Sequence, residues 1–307
     1  MHGPVKPKMG KKSAPDKPAL QPSEAIGPAV RGIAEHVLVG ARAVMTDPEL
    51  SGQDAVHEFR RAMKEWRALM RLLAPFITDA ERWRVEARDH ARSLAHARDG
   101  QAALNAFDDV LKRGLVVSER TQKTMRGRIE ALRGSEERAV LTPDLRTTII
   151  GWIDGAAAAV EGWPLDPFDF SAIASQLAAG YRRARHCLPS DWTLASDAEL
   201  HKFRQRVVDH RYQMEIVEPL WPRFGKMWTD EAERLRARLG KCQDLAVLER
   251  LSEPHQPLAH WRSRLKPACD ERRLQLTHRA ARIARRLFAE RPKAFHHRLE
   301  KLWEDGR

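Results

Sequence analysis

The stretch His57-Glu-Phe-Arg60-Arg-Ala-Met-Lys64-Glu-Trp-Arg67-Ala-Leu-Met-Arg71 carries two interleaved periodicities, and together they decide the fold class. At about 100° per residue, His57, Arg60, Lys64, Arg67 and Arg71 fall within an arc of roughly 80°. Phe59, Ala62, Met63, Trp66, Leu69, Met70 and Leu73 fill the opposite side, so one helix presents a core face and a continuous cationic face. Arg61 stands beside that row.

A second copy lies downstream. His57-Glu-Phe-Arg60 matches His201-Lys-Phe-Arg204 at an offset of 144 residues, and the register continues through Arg67/Arg211 and Met70/Met214. Leu94-Ala-His-Ala-Arg-Asp99 matches Leu239-Gly-Lys-Cys-Gln-Asp244 at an offset of 145. Two matches in the same order read as a duplicated helical unit, with a pseudo-twofold arrangement as its natural packing. The second copy is less regular: Val208 stands where Lys64 would correspond and Glu215 where Arg71 would, while Arg206 and His210 fall on the side that is apolar in the first copy.

The rest of the 307 residues agrees with an all-helical reading. Ala, Leu, Glu and Arg dominate long stretches, and no alternating segment of useful length signals a strand. Turn signals at Asp47-Pro48, Ala74-Pro75, Gly134-Ser135, Leu188-Pro189, Glu253-Pro254 and Gln256-Pro257 outline eight or more helices. Residues 1–24 hold five prolines and five lysines with little to bury, and are read as a disordered basic tail. One domain over 25–301 follows, with halves of about 25–161 and 171–301 around a linker at 162–170.

Lys and Arg number 54 against 42 Asp and Glu, for a formal charge of +12, so an anionic partner is expected. The row on the first helix suits phosphate in particular. A guanidinium fork bonds two phosphate oxygens at once and keeps its charge at any physiological pH. Groups about 5 Å apart suit a chain of linked phosphates better than a single one. A further basic face is formed by Arg272, Arg279, Arg282 and Arg286, with Leu274, Thr277, Ala281, Ala284 and Phe288 opposite.

Catalytic readings lack their geometry. His57-Glu58 is followed at the fourth position by Arg61, so no zinc-binding H-E-x-x-H pair forms. Asp89-His90 and Asp209-His210 have a metal-hydrolase dyad in reverse order, and no phosphate-cradling glycine loop or nucleophile elbow is present. Asp99 and Asp244 are read as orienting Arg98 and Lys241. No catalytic residue, metal or cofactor is assigned. Three isolated cysteines, the absence of a secretory signal and the absence of a membrane-length apolar run lead to the expectation of a cytoplasmic protein.

His57-x-x-Arg60-x-x-x-Lys64-x-x-Arg67, His201-x-x-Arg204 and Arg211-Tyr212-x-x-Glu215 resemble the CHAD family, the conserved histidine α-helical domain. The Arg98-Asp99 and Leu239-Gly240…Asp244 segments look like its later helices, and the likeness spans about residues 26 to 301. The resemblance implies two pseudo-symmetric four-helix units around a basic groove or pore that binds inorganic polyphosphate, commonly at cytoplasmic polyphosphate granules and without catalysis. Carried onto this sequence, it implies contacts from His57, Arg60, Lys64, Arg67, His201, Arg204 and Arg211, and the cationic row adds Arg71 and its neighbour Arg61 as expected contacts. Arg98, Lys241, Arg206, Arg279, Arg282 and Arg286 are auxiliary candidates. The competing readings are an RNA-binding protein and a helical scaffold with no small-anion ligand. RNA shares the phosphate backbone, but no aromatic residue is interleaved with the cationic row to stack a base.

Overall fold

In a computed structural model, which describes residues 17–94, 99–137 and 141–307, the described residues form eleven α-helices and two short 3-10 turns, and no strand occurs among them. The helices are α1 (Ile26–Thr46), α2 (Gly52–Leu73), α3 (Ala80–Ser93), α4 (Asp99–Leu111), α5 (Glu119–Glu137), α6 (Pro143–Glu161), α7 (Phe170–His186), α8 (Asp197–Ile216), α9 (Pro222–Leu251), α10 (Arg262–Leu287) and α11 (Pro292–Asp305). Among the described residues, six helices precede the 162–170 linker and five follow it.

The two helices that hold the repeated motif start at serine caps. Ser51 accepts from the Asp54 amide at 3.1 Å, and Ser196 forms a reciprocal capping box with Glu199. Each cap satisfies amides that the first helical turn leaves free, which fixes where the motif helix begins. On α2 the expected core face is observed: Phe59, Met63, Trp66, Leu69, Met70 and Leu73 are buried, and Trp66 meets Trp152 and Trp163 across the first half. On α10, Thr277, Ala281 and Ala284 are buried, as is Phe288 just past its end, whereas Leu274 is exposed.

α2 and α8 pack directly on each other, and their contacts set the centre of the molecule. Arg71 meets Asp209, Gln213 bonds the Ala68 carbonyl at 3.1 Å, and Lys17 bridges Glu65 to Glu215. As the position on α2 falls, that on α8 rises, so the helices cross in antiparallel sense near Ala68, Val208 and Tyr212, which form a small apolar cluster of their own. Ala68 and Tyr212 are 144 residues apart, the offset of the sequence repeat. Val208 interrupts the cationic row of α8 because that position is inside the crossing.

One long helix, α9, corresponds by that offset to both α3 and α4. In the first half the equivalent of the α9 interior falls at the junction of α3 and α4, where residues 95–98 lie outside the described ones.

The N-terminal boundary differs from the expected tail of residues 1–24. Residues 17–24 are part of the folded body: Leu20 is fully buried, its amide bonds the Ile216 carbonyl at 2.8 Å, and Lys17 is clamped between two glutamates. One apolar residue and one well-placed cation suffice to anchor this strap. Residues 1–16 lie outside the described residues.

Candidate functional site

The cationic row of α2 lies beside α3, one of the helices against which α2 packs. His57 is exposed, and Arg60, Lys64, Arg67 and Arg71 are half-buried. Arg60 donates to the Leu94 carbonyl at the end of α3 (3.3 Å), while Arg84 and Arg88 of α3 bring positive charge to Arg67. The half-buried state follows from the amphipathic arc, which sets the stems of these side chains along the edge of the core.

Arg67 is the most informative member of the row. Burial, then the neighbouring Arg71 guanidinium, with Arg84 and Arg88 adding to it, lowers its pKa to about 10. It remains charged at neutral pH, but as a cation crowded by cations. Its buried Nε has no hydrogen-bond partner. An anion placed here would relieve both costs.

At the C-terminal end of the row, Arg71 Nη1 bonds Asp209 Oδ1 at 2.6 Å. Arg206 of α8 stands 3.6 Å from the other carboxylate oxygen, and Arg183 of α7 feels Arg206, Asp209 and Arg71. Arg206 thus joins the α2 row from the facing helix. Arg84 and Arg88 are not bare cations, since Glu81 and Asp89 accept hydrogen bonds from them on the solvent side. Arg84, Arg88 and Arg183 carry no repeat or stripe signal in the sequence, and only the packing of α3 and α7 against α2 and α8 brings them in.

The second copy is more nearly neutralised. Arg204 is buried, with its guanidinium packed over Gly240, where a Cβ would lie 3.6 Å from its Nε. Arg211 pairs with Glu215 at 2.8 Å and Glu233 at 3.4 Å, and lies over the Tyr212 ring. Arg236 takes the rest of Glu233. His201 is exposed and its ring nitrogens meet Gln205 and Gln243.

On the antiparallel pair, His57 and His201 sit near the opposite outer ends, each eleven positions before the crossing. The two copies therefore point away from one another rather than forming one histidine cluster.

Among the remaining candidates, Arg61 is exposed and pairs with Glu58 at 3.0 Å, off the row. Arg98 lies outside the described residues, as does the Asp99 side chain. Lys241 bonds Asp109 at 3.0 Å and lines a cavity of about 330 Å³ with Asp108, Asp109 and Asp244, away from the α2 row. Arg279, Arg282 and Arg286 are exposed on α10. Arg272, expected on the same face, is instead buried, with Nε on Asp109 Oδ2 at 2.6 Å; a half-buried carboxylate on α4 draws it inward.

His210 is enclosed by Tyr181, Trp228, Phe288 and Phe295, and its Nε2 accepts the Trp228 indole N–H at 2.7 Å. It belongs to the core of the second half. Among the described residues, no three His, Cys, Asp or Glu side chains gather so as to hold a metal ion, and no helix is long and apolar enough to cross a membrane.

The family model described as CHAD domain matches residues 29–253 of this chain. A crystal structure of the CHAD domain from the plant Ricinus communis is similar over 93% of this chain and 97% of its own, with a TM-score of 0.50 and 21% identity, a likeness that concerns the fold. No curated protein matches the chain.

Proposed function

Since the chain belongs to the CHAD domain family, we propose that it binds inorganic polyphosphate along the α2 row from His57 through Arg60, Lys64 and Arg67 to Arg71, flanked by Arg84 and Arg88 of α3. The observation that carries this reading is the state of Arg67: a half-buried guanidinium among like charges, with an unpartnered Nε, has the most to gain from a dense anion. A row along one helix matches a linear chain of charges, and each charge-assisted contact adds roughly 1.5–3 kcal/mol. The protein acts as a binding module rather than an enzyme, and its place is at cytoplasmic polyphosphate granules.

RNA is the competing ligand. Phe59 and Trp66, the aromatic residues nearest the row, are buried in the core and offer no face on which a base could stack. Competition between long-chain polyphosphate and RNA at moderate salt tests the proposal. Polyphosphate should displace RNA and raise the melting temperature, because a ligand selective for the folded state stabilises it by mass action. Equal or stronger binding of RNA, or an unchanged melting temperature at saturating polyphosphate, would overturn it.

A further inference from the structure

Asp209 is a carboxylate surrounded by guanidinium groups from four helices. Arg67 and Arg71 face it from α2, Arg84 from α3, Arg183 from α7 and Arg206 from its own helix. Its side chain is 11% exposed. Oδ1 accepts from Arg71, whereas buried Oδ2 has no hydrogen-bond partner, the nearest Arg206 nitrogen being 3.6 Å away.

Both signs of charge are poorly served here. Burial raises the Asp209 carboxyl above its usual range despite the cations around it, and burial with like-charge neighbours holds Arg67 down. One carboxylate cannot satisfy several forked donors, because each guanidinium can bond two oxygens and the carboxylate has only two. Arg71, Arg183 and Arg206 keep some solvent exposure, so the cluster is open to an incoming anion.

We propose that this cluster is a phosphate subsite at the end of the α2 row, and that Asp209 is its resident competitor. The inference rests on the polyphosphate reading and adds a residue that opposes the ligand. An arriving phosphate takes hydrogen bonds from Arg71, Arg206 and the Arg67 Nε, and it does so against the Asp209 charge. A free phosphate must face that charge with no other contact to hold it in place. A polymer already held at Arg60 and Lys64 presents its next phosphate at a high effective concentration, and so overcomes that opposition. Asp209 thereby makes the site select long chains over free phosphate.

The test is Asp209→Asn, which keeps the shape and removes the charge. Calorimetric titration with long-chain polyphosphate should show binding at least about tenfold tighter than wild type, as removal of a like charge beside a half-buried phosphate requires. Tripolyphosphate should gain proportionally more, narrowing the preference for long chains. Unchanged or weaker binding by the folded variant overturns the proposal.

Asp209→Asn also removes the anchor of Arg71, so a second measurement uses the wild-type chain. A structure with polyphosphate bound should place a phosphate oxygen within hydrogen-bond reach of Arg71 or Arg206. Phosphate confined to other parts of the chain overturns the subsite. If wild type fails to bind polyphosphate at all, it is the functional reading that falls; if wild type binds and the variant gains nothing, the subsite alone falls.

Discussion

Lowering the pH from 7 to 5 should cost this protein about 2 kcal/mol of stability at His210 alone. Burial, followed by the nearby Arg298 charge, holds the His210 imidazole down to about 3, against about 6.5 in an unfolded chain. Between those values the unfolded chain carries a proton that the folded chain refuses. The contribution is therefore whole above about 6.5 and is lost as the pH falls. At about 1.36 kcal/mol per unit, the 1.5 units from 6.5 to 5 give about 2 kcal/mol, and the loss would approach about 5 kcal/mol near pH 3. Domains of this kind have about 5–15 kcal/mol in all, so this one side chain sets much of the acid limit.

Urea unfolding followed by tryptophan fluorescence at pH 7, 6 and 5 measures the effect in wild type and in His210→Gln. The glutamine carbonyl can still accept the Trp228 indole N–H that His210 Nε2 now takes at 2.7 Å. The variant should be weaker at pH 7, because the ring leaves its contacts with Tyr181, Phe288 and Phe295. Its further loss between pH 7 and 5 should be smaller than the wild-type loss by about 2 kcal/mol. Exposed histidines such as His57 and His201 are common to both proteins and cancel. Equal losses would refute the argument that His210 is held neutral by its surroundings.

Lys17→Ala should lower stability by about 1 kcal/mol, a value kept small by the partial exposure of the pair, and adding Glu65→Gln should recover part of the loss in a double-mutant cycle. Deleting residues 1–16 should leave polyphosphate affinity and granule targeting largely intact, whereas deleting residues 1–24 removes buried Leu20 and should cost about 2–5 kcal/mol by denaturant titration. Arg60→Ala with Lys64→Ala should weaken polyphosphate binding more than Arg204→Ala with Arg211→Ala, since Arg211 is already divided between Glu215 and Glu233; equal losses in calorimetry on variants of native circular dichroism would contradict the asymmetry.

The sequence displays whatever a single helix can display. Both motif helices, the buried side of α2 and the linker before α7 follow from periodicity and turn residues within one segment. Neighbour relations between segments leave no such trace. Nothing local says that Arg84, Arg88 and Arg183 face Arg67 and Arg71, because each lies on a helix whose own pattern is ordinary. Arg272 looks like its exposed neighbours on α10 until Asp109 of α4 accounts for its burial. Leu20 is invisible for a different reason: a single apolar residue among prolines and lysines has no period, yet it fills a fully buried place against α8.

The crossing of α2 and α8 shows how the two copies have come to differ. Glu65 and Asp209 stand 144 residues apart, as do Arg71 and Glu215, so the two sides of the crossing present corresponding pairs. On one side the pair is Arg71 with Asp209, an ion pair set among further arginines. On the other it is Glu215 with Glu65, two like charges that would repel. Lys17 lies between them at 2.6 and 2.5 Å; its burial works against its charge, but the two glutamates outweigh this and hold the ammonium above its usual pKa. The N-terminal strap thus adds from outside the repeat a cation that bridges Glu65 and Glu215, beside Arg211, which already pairs with Glu215 from within it. Having Lys17 in that place closes the second side with the chain's own charge, whereas the first side keeps more arginine than its carboxylates can satisfy. A polyanion approaching the molecule meets the larger excess of arginine beside Asp209, where α2 and α3 bring Arg67, Arg71 and Arg84 to one carboxylate.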